Sequence, residues 1–513
     1  MKKLFITTPI YYASGKPHTG HAYTTILADV IARYKKALGY DVFFLTGMDE
    51  HGQKISDTAK KKGLQVQEML DSVTKDFKQL WKDLDINYSN FIRTTDKVHC
   101  DAVQKTFSEL LSKQYIYEGT WKGLYCVNCE ENYTRDQAVE KEGKLYCKVG
   151  HELTEKNEPS YFLKVSKYAD WIQKQFKEKD FIMPQARVNE LLGSFIDKGL
   201  EDLSVTRTSI NWGIQTKEDS KHVIYVWIDA LLSYLSGLGY LSSDDKNFKK
   251  YFVDKDSEVV HLMSKEITRF HCIYWPILLN MLELRLPTHI ISHGWVVTKE
   301  GKMSKSLGNI INPYDYINTF GSDAFRYFIV RQVNLEKDGI FSHDLFVETF
   351  NTQLANNYGN MATRIAGMLK KYFNNTVPTF NKNALTELDK KVIAAEKKLL
   401  SSVKDRIQHF KINPLLDDIQ DQYNVLNKYI DDAKPWVLAK DPDKKDQLSN
   451  CLNILFTSAI NLMILLSPIL VKTSKIIEKA FNLQLNPENI SKDWSGHKID
   501  VLSPLFARVE KSK

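Results

Sequence analysis

"LFITTPIYYASGKPHTGHAYTTILADVIARYKKALGYDVFFLTG", residues 4–47, decides the fold. It opens on an apolar run, Leu4–Tyr12, crosses a polar loop ending in two histidines, and continues with Ile26, Leu27, Val30, Ile31, Tyr34 and Leu38 at spacings of three and four. Those spacings place six apolar side chains on one face of a helix. DVFFLTG, residues 41–47, then returns as a short strand. Strand, loop, helix, strand is a βαβ unit, and such a unit implies a parallel sheet covered by helices. A second unit stands far downstream: VVHLM (259–263) as strand, SKEITRFHCIYWPILLNML (264–282) as helix and THIISHG (288–294) as strand. The two halves of one nucleotide-binding domain are therefore separated by a long insertion. The expected segments are 1–116 and 213–345 for the two halves, 117–212 for the insertion, and 346–513, where long helical patterns take over, for a bundle.

The bulk numbers agree with this partition. A chain of 513 residues exceeds what one hydrophobic core serves. Charged residues at 26% and hydrophobic ones at 43% are ordinary for a soluble globular protein. A formal net charge of +7 has the sign expected of a chain that meets a polyanion. No small-residue cleavage site follows MKKLFITTPIYY, so no signal peptide is read. The most apolar window, residues 452–470, contains Asn461, Ser467 and Pro468 and reads as a buried bundle helix, not a membrane span. Six cysteines, three of them clustered, do not resemble a secreted disulfide framework, and the expected compartment is the cytoplasm.

The loop between a strand and the next helix of a parallel sheet is where anions bind, because the first helical N–H groups lack partners and the helix dipole is positive there. His18 and His21 sit at that spot and can donate to phosphate oxygens, while Gly20 lets a nucleotide approach the backbone. The rival phosphate motif fails: GMDEHGQK has glycines at P-loop spacing, but Gln53 stands where a lysine must follow directly. GKMSKS supplies Lys302 and Lys305 on a polar loop after the last strand, which suits stabilisation of charge on a phosphoryl group in flight. Cys126, Cys129, Cys147 and His151 form C-x2-C followed by C-x3-H. Three thiolates and an imidazole fit tetrahedral zinc with no open coordination position, hence a structural site. Cys100, Cys272 and Cys451 are isolated and read as small buried hydrophobes.

HxGH after the first strand and KMSKS after the last, with a long insertion between, resemble the class I aminoacyl-tRNA synthetases. TTPIYYASGKPHTGHAY, LTGMDEHGQKI, YVWIDALLSY, RFHCIYWP, HGWVVTKEGKMSKSLGN and KPW are together similar to the methionyl-tRNA synthetases of that class. The resemblance implies an α/β fold: a Rossmann-type doubly wound parallel sheet split by a zinc-knuckle insertion and followed by an α-helical anticodon-binding bundle. It implies that His18, His21, Lys302 and Lys305 serve catalysis, and that Gly20, Glu266, His293, Gly294 and Lys305 bind ATP. Asp49 would take the α-ammonium group of methionine, with Ile10, Tyr12, Trp227, Ala230, Leu231, Tyr234 and His271 around the side chain. Asn360 and Arg364, four apart and so on one helix face, would read the anticodon with Trp436. Thr19 stands where many relatives carry an aliphatic residue, and the fourth knuckle ligand comes one residue later than is usual.

The implied reaction joins methionine and ATP into methionyl-adenylate with loss of pyrophosphate, then passes the methionyl group to tRNA(Met). Mg2+ would accompany the ATP phosphates and Zn2+ the knuckle. Since the chain ends in LFARVEKSK with no oligonucleotide-binding appendix, a monomer is expected. Three alternatives stay open on sequence alone: another class I synthetase, a small nucleotidyltransferase, and a non-catalytic zinc-knuckle RNA-binding protein. For each aromatic in the pocket set, and for Trp436, simple core packing is the competing reading.

Overall fold

The computed structural model describes residues 1–510 apart from 128, 130, 134, 304–308, 333 and 334. At its centre six parallel strands pair in the order Asn90–Arg93, Asp41–Asp49, Lys3–Tyr12, Ser257–Ser264, His289–His293, Ile182–Met183. The middle strands are apolar on both faces because helices cover both: Leu4, Phe5, Ile6, Val259 and Val260 have no exposed surface. The strand order reverses between Lys3–Tyr12 and Ser257–Ser264, the first strands of the two halves, which lie side by side at the middle of the sheet. In open α/β sheets, ligands bind outside the carboxyl ends of the strands at such a switch.

The first strand is not regular to its end. Its register with Asp41–Asp49 shifts between Thr7 and Ile10, around Pro9, which has no N–H to give the ladder. That irregularity lies one residue before Ile10, at the end of the strand that meets the cavity described below.

The insertion folds around an antiparallel sheet whose long hairpin pairs Ile116–Cys126 with Thr154–Leu163. It is not a freestanding appendage, since the edge strand Ile182–Met183 of the central sheet arises within the 117–212 stretch. The C-terminal region is helical, with Asn360–Phe373, Glu387–Gln408, Ile412–Ala433 and Lys445–Leu466 as its main members. Lys445–Leu466 carries most of the apolar window and is buried around its circumference from Asn450 to Phe456 and again from Ser458 to Leu466, as a helix apolar on all sides must be.

The bundle and the sheet are clamped at one guanidinium. Arg326, fully buried on helix Ser322–Gln332, donates from Nε to the Ile469 carbonyl (2.9 Å) and from Nη1 to the Leu84 carbonyl (3.0 Å). Its Nη2 reaches the Pro468 carbonyl (2.9 Å) and Asp29 Oδ2 (2.8 Å) on the first helix, Thr19–Ala37. Asp29 also accepts from Arg33 Nε (2.8 Å) and the Asn87 N–H (2.9 Å). Removing Arg326 leaves Asp29 with Arg33 as its one remaining cation and strands the Leu84, Pro468 and Ile469 carbonyls without this donor, a loss of the order of a broken buried pair, about 3–5 kcal/mol. Arg326→Met is therefore expected to lower the unfolding free energy by about that amount in urea titrations. A loss below about 1 kcal/mol, the range of an exposed pair, would show that the clamp contributes little.

Candidate functional site

His18 is the N-cap of helix Thr19–Ala37, and its Nδ1 accepts the Gly20 N–H at 3.1 Å. His21 Nδ1 reaches back to the His18 N–H at 3.2 Å, which closes a reciprocal cap made of two imidazoles. An Nδ1 that accepts leaves the ring proton on Nε2, so both rings are set as Nε2 donors. The rings stack with centroids 3.8 Å apart, and His21 is backed by Tyr11 and Phe77. Gly20 serves this arrangement sterically: a Cβ there would stand 2.9 Å from the His18 ring. Thr19 is fully buried, and its hydroxyl donates to the Ile311 carbonyl at 2.7 Å, joining the histidine turn to the segment beyond residues 304–308.

All eight residues expected around the amino acid line one cavity of about 230 Å3 at the switch point. Pro9, Ile10 and Tyr12 come from the first strand, Asp49 from the carboxyl end of the second, and Trp227, Ala230, Leu231 and Tyr234 from helix Val226–Ser236. The Trp227 ring lies flat on Phe270, 3.7 Å between centroids. The His271 Nδ1–H donates to the Ile267 carbonyl at 2.9 Å, and its Nε2 pairs with the Tyr234 hydroxyl at 2.7 Å. Burial takes the His271 imidazole down to about 4 against that backbone bond, so the wall it forms is neutral at physiological pH. Lys54 and Cys129 also line the cavity; neither was singled out for this role from sequence.

Behind Asp49 lies a buried network that sequence reading missed. Asp229 points away from the cavity and binds His51 Nδ1 through Oδ2 (2.7 Å) and His99 Nε2 through Oδ1 (2.5 Å), with His99 Nδ1 on Ser236 Oγ (2.7 Å). Burial alone would raise the Asp229 carboxyl, but His51 and His99 outweigh it and bring it to about 2. Glu50, also buried, pairs with Arg93 (2.7 Å) and accepts from Thr74 (3.0 Å). Trp212 donates to the Glu50 carbonyl at 2.6 Å. The turn after Asp49 is thus fixed on both flanks. "DEH" and "WID" are the only sequence signals, and each is polar at a strand or helix end, where an unpartnered surface residue is the common case.

Against the first helix, His293 Nε2 meets Thr24 Oγ1 at 2.8 Å and its Nδ1 the Gly294 carbonyl at 2.7 Å, with Tyr23 edge-on at 4.5 Å. Burial lowers its imidazole to about 4. Gly294 is required by packing: a Cβ there would fall 2.3 Å from the Lys337 carbonyl oxygen. Lys302, at the end of strand Gly301–Lys302, ion-pairs with Glu266 and lies over the Trp295 ring at 4.1 Å, while Lys265 lies over the same ring at 4.0 Å. Lys305 falls outside the described residues.

Cys126 Sγ, Cys129 Sγ, Cys147 Sγ and His151 Nδ1 lie within 4.8 Å of one another. Cys129 Sγ is 3.9 Å from Cys147 Sγ and 3.3 Å from His151 Nδ1, and Cys147 Sγ is 3.6 Å from that nitrogen. A tetrahedral ion with bonds of about 2.3 Å to sulfur and 2.0 Å to nitrogen needs edges of roughly 3.5–3.8 Å. The donor set fits a metal ion of that kind, and the extra residue before His151 does not prevent it. Of the isolated cysteines, Cys272 and Cys451 are buried as expected, whereas Cys100 is half-buried with its thiol on the Thr94 carbonyl at 3.3 Å.

In the bundle, Asn360 and Arg364 open helix Asn360–Phe373, and Arg364 Nη2 sits 3.6 Å from Asp431 near the end of Ile412–Ala433. Trp436 follows five residues after Asp431 and is 43% exposed, so it is not a core tryptophan.

A family model described as class I tRNA synthetases (M) matches residues 4–366. The methionine–tRNA ligase of Ureaplasma parvum serovar 3 is 47% identical over 515 residues, spanning 99% of this chain and 98% of that one. The corresponding ligase of Listeria monocytogenes serotype 4b is 42% identical over 496 residues, 95% of this chain and 74% of its own. Among solved structures, Mycobacterium tuberculosis methionyl-tRNA synthetase in complex with methionyl-adenylate superposes with a TM-score of 0.94 at 32% identity, over 99% of this chain and all of that one.

The Asp229 network sets a pH limit. Its folded carboxyl, near 2, is below the ordinary unfolded value of about 3.9. The stability it contributes is therefore fully present above about pH 4 and is lost as pH falls toward 2. Asp229→Asn is expected to flatten that limb of the stability–pH curve and to cost about 3 kcal/mol at neutral pH. Parallel acid limbs for variant and wild type in urea unfolding between pH 2 and 5 would contradict the assignment.

Proposed function

The chain belongs to the class I tRNA synthetases of the methionine type, and from that premise we propose how its residues share the ATP-dependent attachment of L-methionine to tRNA(Met). The reaction proceeds through methionyl-adenylate with release of pyrophosphate and supplies translation. One observation supports the residue assignment: eight side chains from four separate stretches of sequence enclose a single small cavity at the end of the strand whose Tyr11 packs on His21.

Asp49 receives the α-ammonium group through a charge-assisted hydrogen bond, with its turn held by the His51 and Glu50 contacts. The thioether enters among Trp227, Ala230, Leu231 and Tyr234, where sulfur gains from aromatic contact and shape, not charge, selects the side chain. A neutral His271, held by Tyr234, closes that wall without placing a charge against it. With both ends fixed, the methionine carboxylate faces the α-phosphorus, so the chemical step draws on positioning and on charge stabilisation. His18 and His21 donate from Nε2 to phosphate oxygens at the positive end of helix Thr19–Ala37. Lys302 and Lys305 add ammonium groups as charge develops on the departing pyrophosphate. Glu266, His293 and Gly294 take the ribose and adenine, and an arriving ribose hydroxyl at Glu266 frees Lys302 from its ion pair. Mg2+ arrives with the nucleotide, as a hard cation on phosphate oxygens.

Cys126, Cys129, Cys147 and His151 hold Zn2+ as a structural ion, all four positions being protein ligands. Asn360, Arg364 and Trp436 read the CAU anticodon, with Trp436 as a stacking platform. We assign the four segments 1–116, 117–212, 213–345 and 346–513 to the divided catalytic domain, its knuckle insertion and the anticodon-binding bundle, acting as a monomer in the cytoplasm.

ATP–pyrophosphate exchange across the twenty amino acids tests the central reading: methionine alone should support it at micromolar to millimolar concentrations. Exchange driven equally by isoleucine or valine would reassign the cavity. Trp436→Ala is expected to cost about 1–3 kcal/mol of tRNA recognition, roughly five- to a hundredfold in charging. Exchange and melting temperature should stay unchanged in that variant, and normal charging of tRNA(Met) would remove Trp436 from the anticodon site. Cys126→Ser should lose most of its zinc by metal analysis of the purified protein; wild-type protein purified without zinc and with all three knuckle thiols titratable would disprove the metal site.

A further inference from the structure

Helix Val66–Asp83 has two unlike faces. Its buried face presents Phe77 and Trp81 to the catalytic side, with the Phe77 ring 5.2 Å from His21. Its outer face carries Lys75, Lys78 and Lys82, all exposed, along a groove of about 820 Å3 completed by Tyr88 and Arg93. Of the four acidic residues on this helix only Asp71 lines the groove, and it is taken by Arg93 at 2.7 Å. Among the described residues no ion pair is formed by any of the three lysines; Lys78 instead rests over the Phe91 ring at 4.7 Å. An ordinary solvated helix face has its lysines interleaved with carboxylates, and this one does not.

We propose that this groove is a binding surface for the sugar-phosphate backbone of the tRNA, separate from the anticodon site. The inference rests on the reading of tRNA as substrate. At 1.5 Å rise per residue, the three lysines stand about 4.5 and 6 Å apart along the helix axis, a spacing comparable with successive phosphates of one RNA strand. Ammonium groups on long stems act as point charges on phosphate and carry no base specificity. Tyr88 adds a half-buried ring at the groove's edge. The position suits an RNA held at both ends. The helix braces His21 on one side, and its C-terminal turn touches the rest of the molecule through Asp83, which accepts from Tyr314 (2.9 Å) and, by its carbonyl, from Lys472 of the bundle (3.0 Å). The cationic flank therefore lies on the catalytic half beside one of its contacts with the C-terminal bundle.

The test is the triple variant Lys75→Gln/Lys78→Gln/Lys82→Gln, with the triple arginine variant as the charge-retaining control. Because counterions are released for each phosphate neutralised, log K for tRNA falls with log salt by about 0.7–0.9 per contact. Loss of three contacts should reduce that slope by about 2–3 and raise the KM for tRNA roughly tenfold or more at about 0.15 M salt. Methionine-dependent exchange should be unchanged, and the arginine variant should charge normally. An unchanged tRNA KM and salt slope would overturn the proposal, as would a parallel loss of exchange, which would place the lysines in the adenylation site instead. Wild-type enzyme that activates methionine yet charges no tRNA would instead remove the substrate reading itself. Trp436→Ala, which removes a stacking contact and no charge, should leave the salt slope intact, so failure of the anticodon assignment is read separately.

Discussion

The geometry depends on a single desolvated ion pair. Arg326 and Asp29 have no solvent to fall back on, so the guanidinium must find its acceptors in the protein. It does so on three different parts of the chain: Asp29 in the middle of the first helix, the Leu84 carbonyl before the third strand, and the Pro468 and Ile469 carbonyls at the end of the apolar bundle helix. The first helix starts at the histidine cap and the bundle carries Trp436, so the clamp sets one relative to the other. Around it runs a shared hydrophobic core in which Ile26, Val30 and Tyr34 pack with bundle residues such as Leu415 and Leu452. Tyr34 adds a direct hydroxyl bond to the Leu465 carbonyl at 2.7 Å. The clamp contributes direction more than affinity, because hydrophobic contact alone permits sliding and a five-donor fork does not.

Within this frame the polar groups divide into two environments. In the walls of the site, burial keeps imidazoles uncharged: His271 in the cavity and His293 against the first helix are both held near 4 by desolvation and engage only in hydrogen bonds. Behind the cavity, the carboxylates of Glu50 and Asp229 are fully buried and compensated by Arg93, His51 and His99. Asp49 lies at the boundary between them. The cavity is thus neutral and shaped on its walls and rests on a rigid, charged support, with one carboxylate, Asp49, at its edge.

The knuckle is tied to the same cavity. Cys129 both belongs to the four-donor cluster and lines the pocket, and Glu131, two residues on, meets Arg269 at 3.4 Å beside the helix that carries His271. The insertion also returns a strand to the edge of the central sheet. Its fold and the pocket's shape are thereby set together, although the cluster leaves no coordination position for substrate.

What the sequence determined by itself was everything carried by local spacing. A strand buried on both faces is a continuous apolar run, a half-buried helix repeats at three and four, and a metal knuckle must bring its donors round within a few residues. Residues 4–47 and the CVNC and CKVGH pairs were therefore legible before any coordinates. The histidine turn was legible because a helix mouth in a βαβ unit is a local feature too. Tertiary structure alone decided the rest. Asp229 lies 178 residues from His51 and 130 from His99, and no periodicity links such positions. Ile182–Met183 is too short to show a strand pattern, and only pairing with His289–His293 makes it one. Trp436 could be core or surface by composition, and the short helix Pro435–Leu438, which buries only Pro435, leaves it exposed. Local pattern is written in adjacent residues. A buried charge, by contrast, is satisfied by whichever distant group the finished fold brings within about 3 Å, and that is known only once the chain has closed on itself.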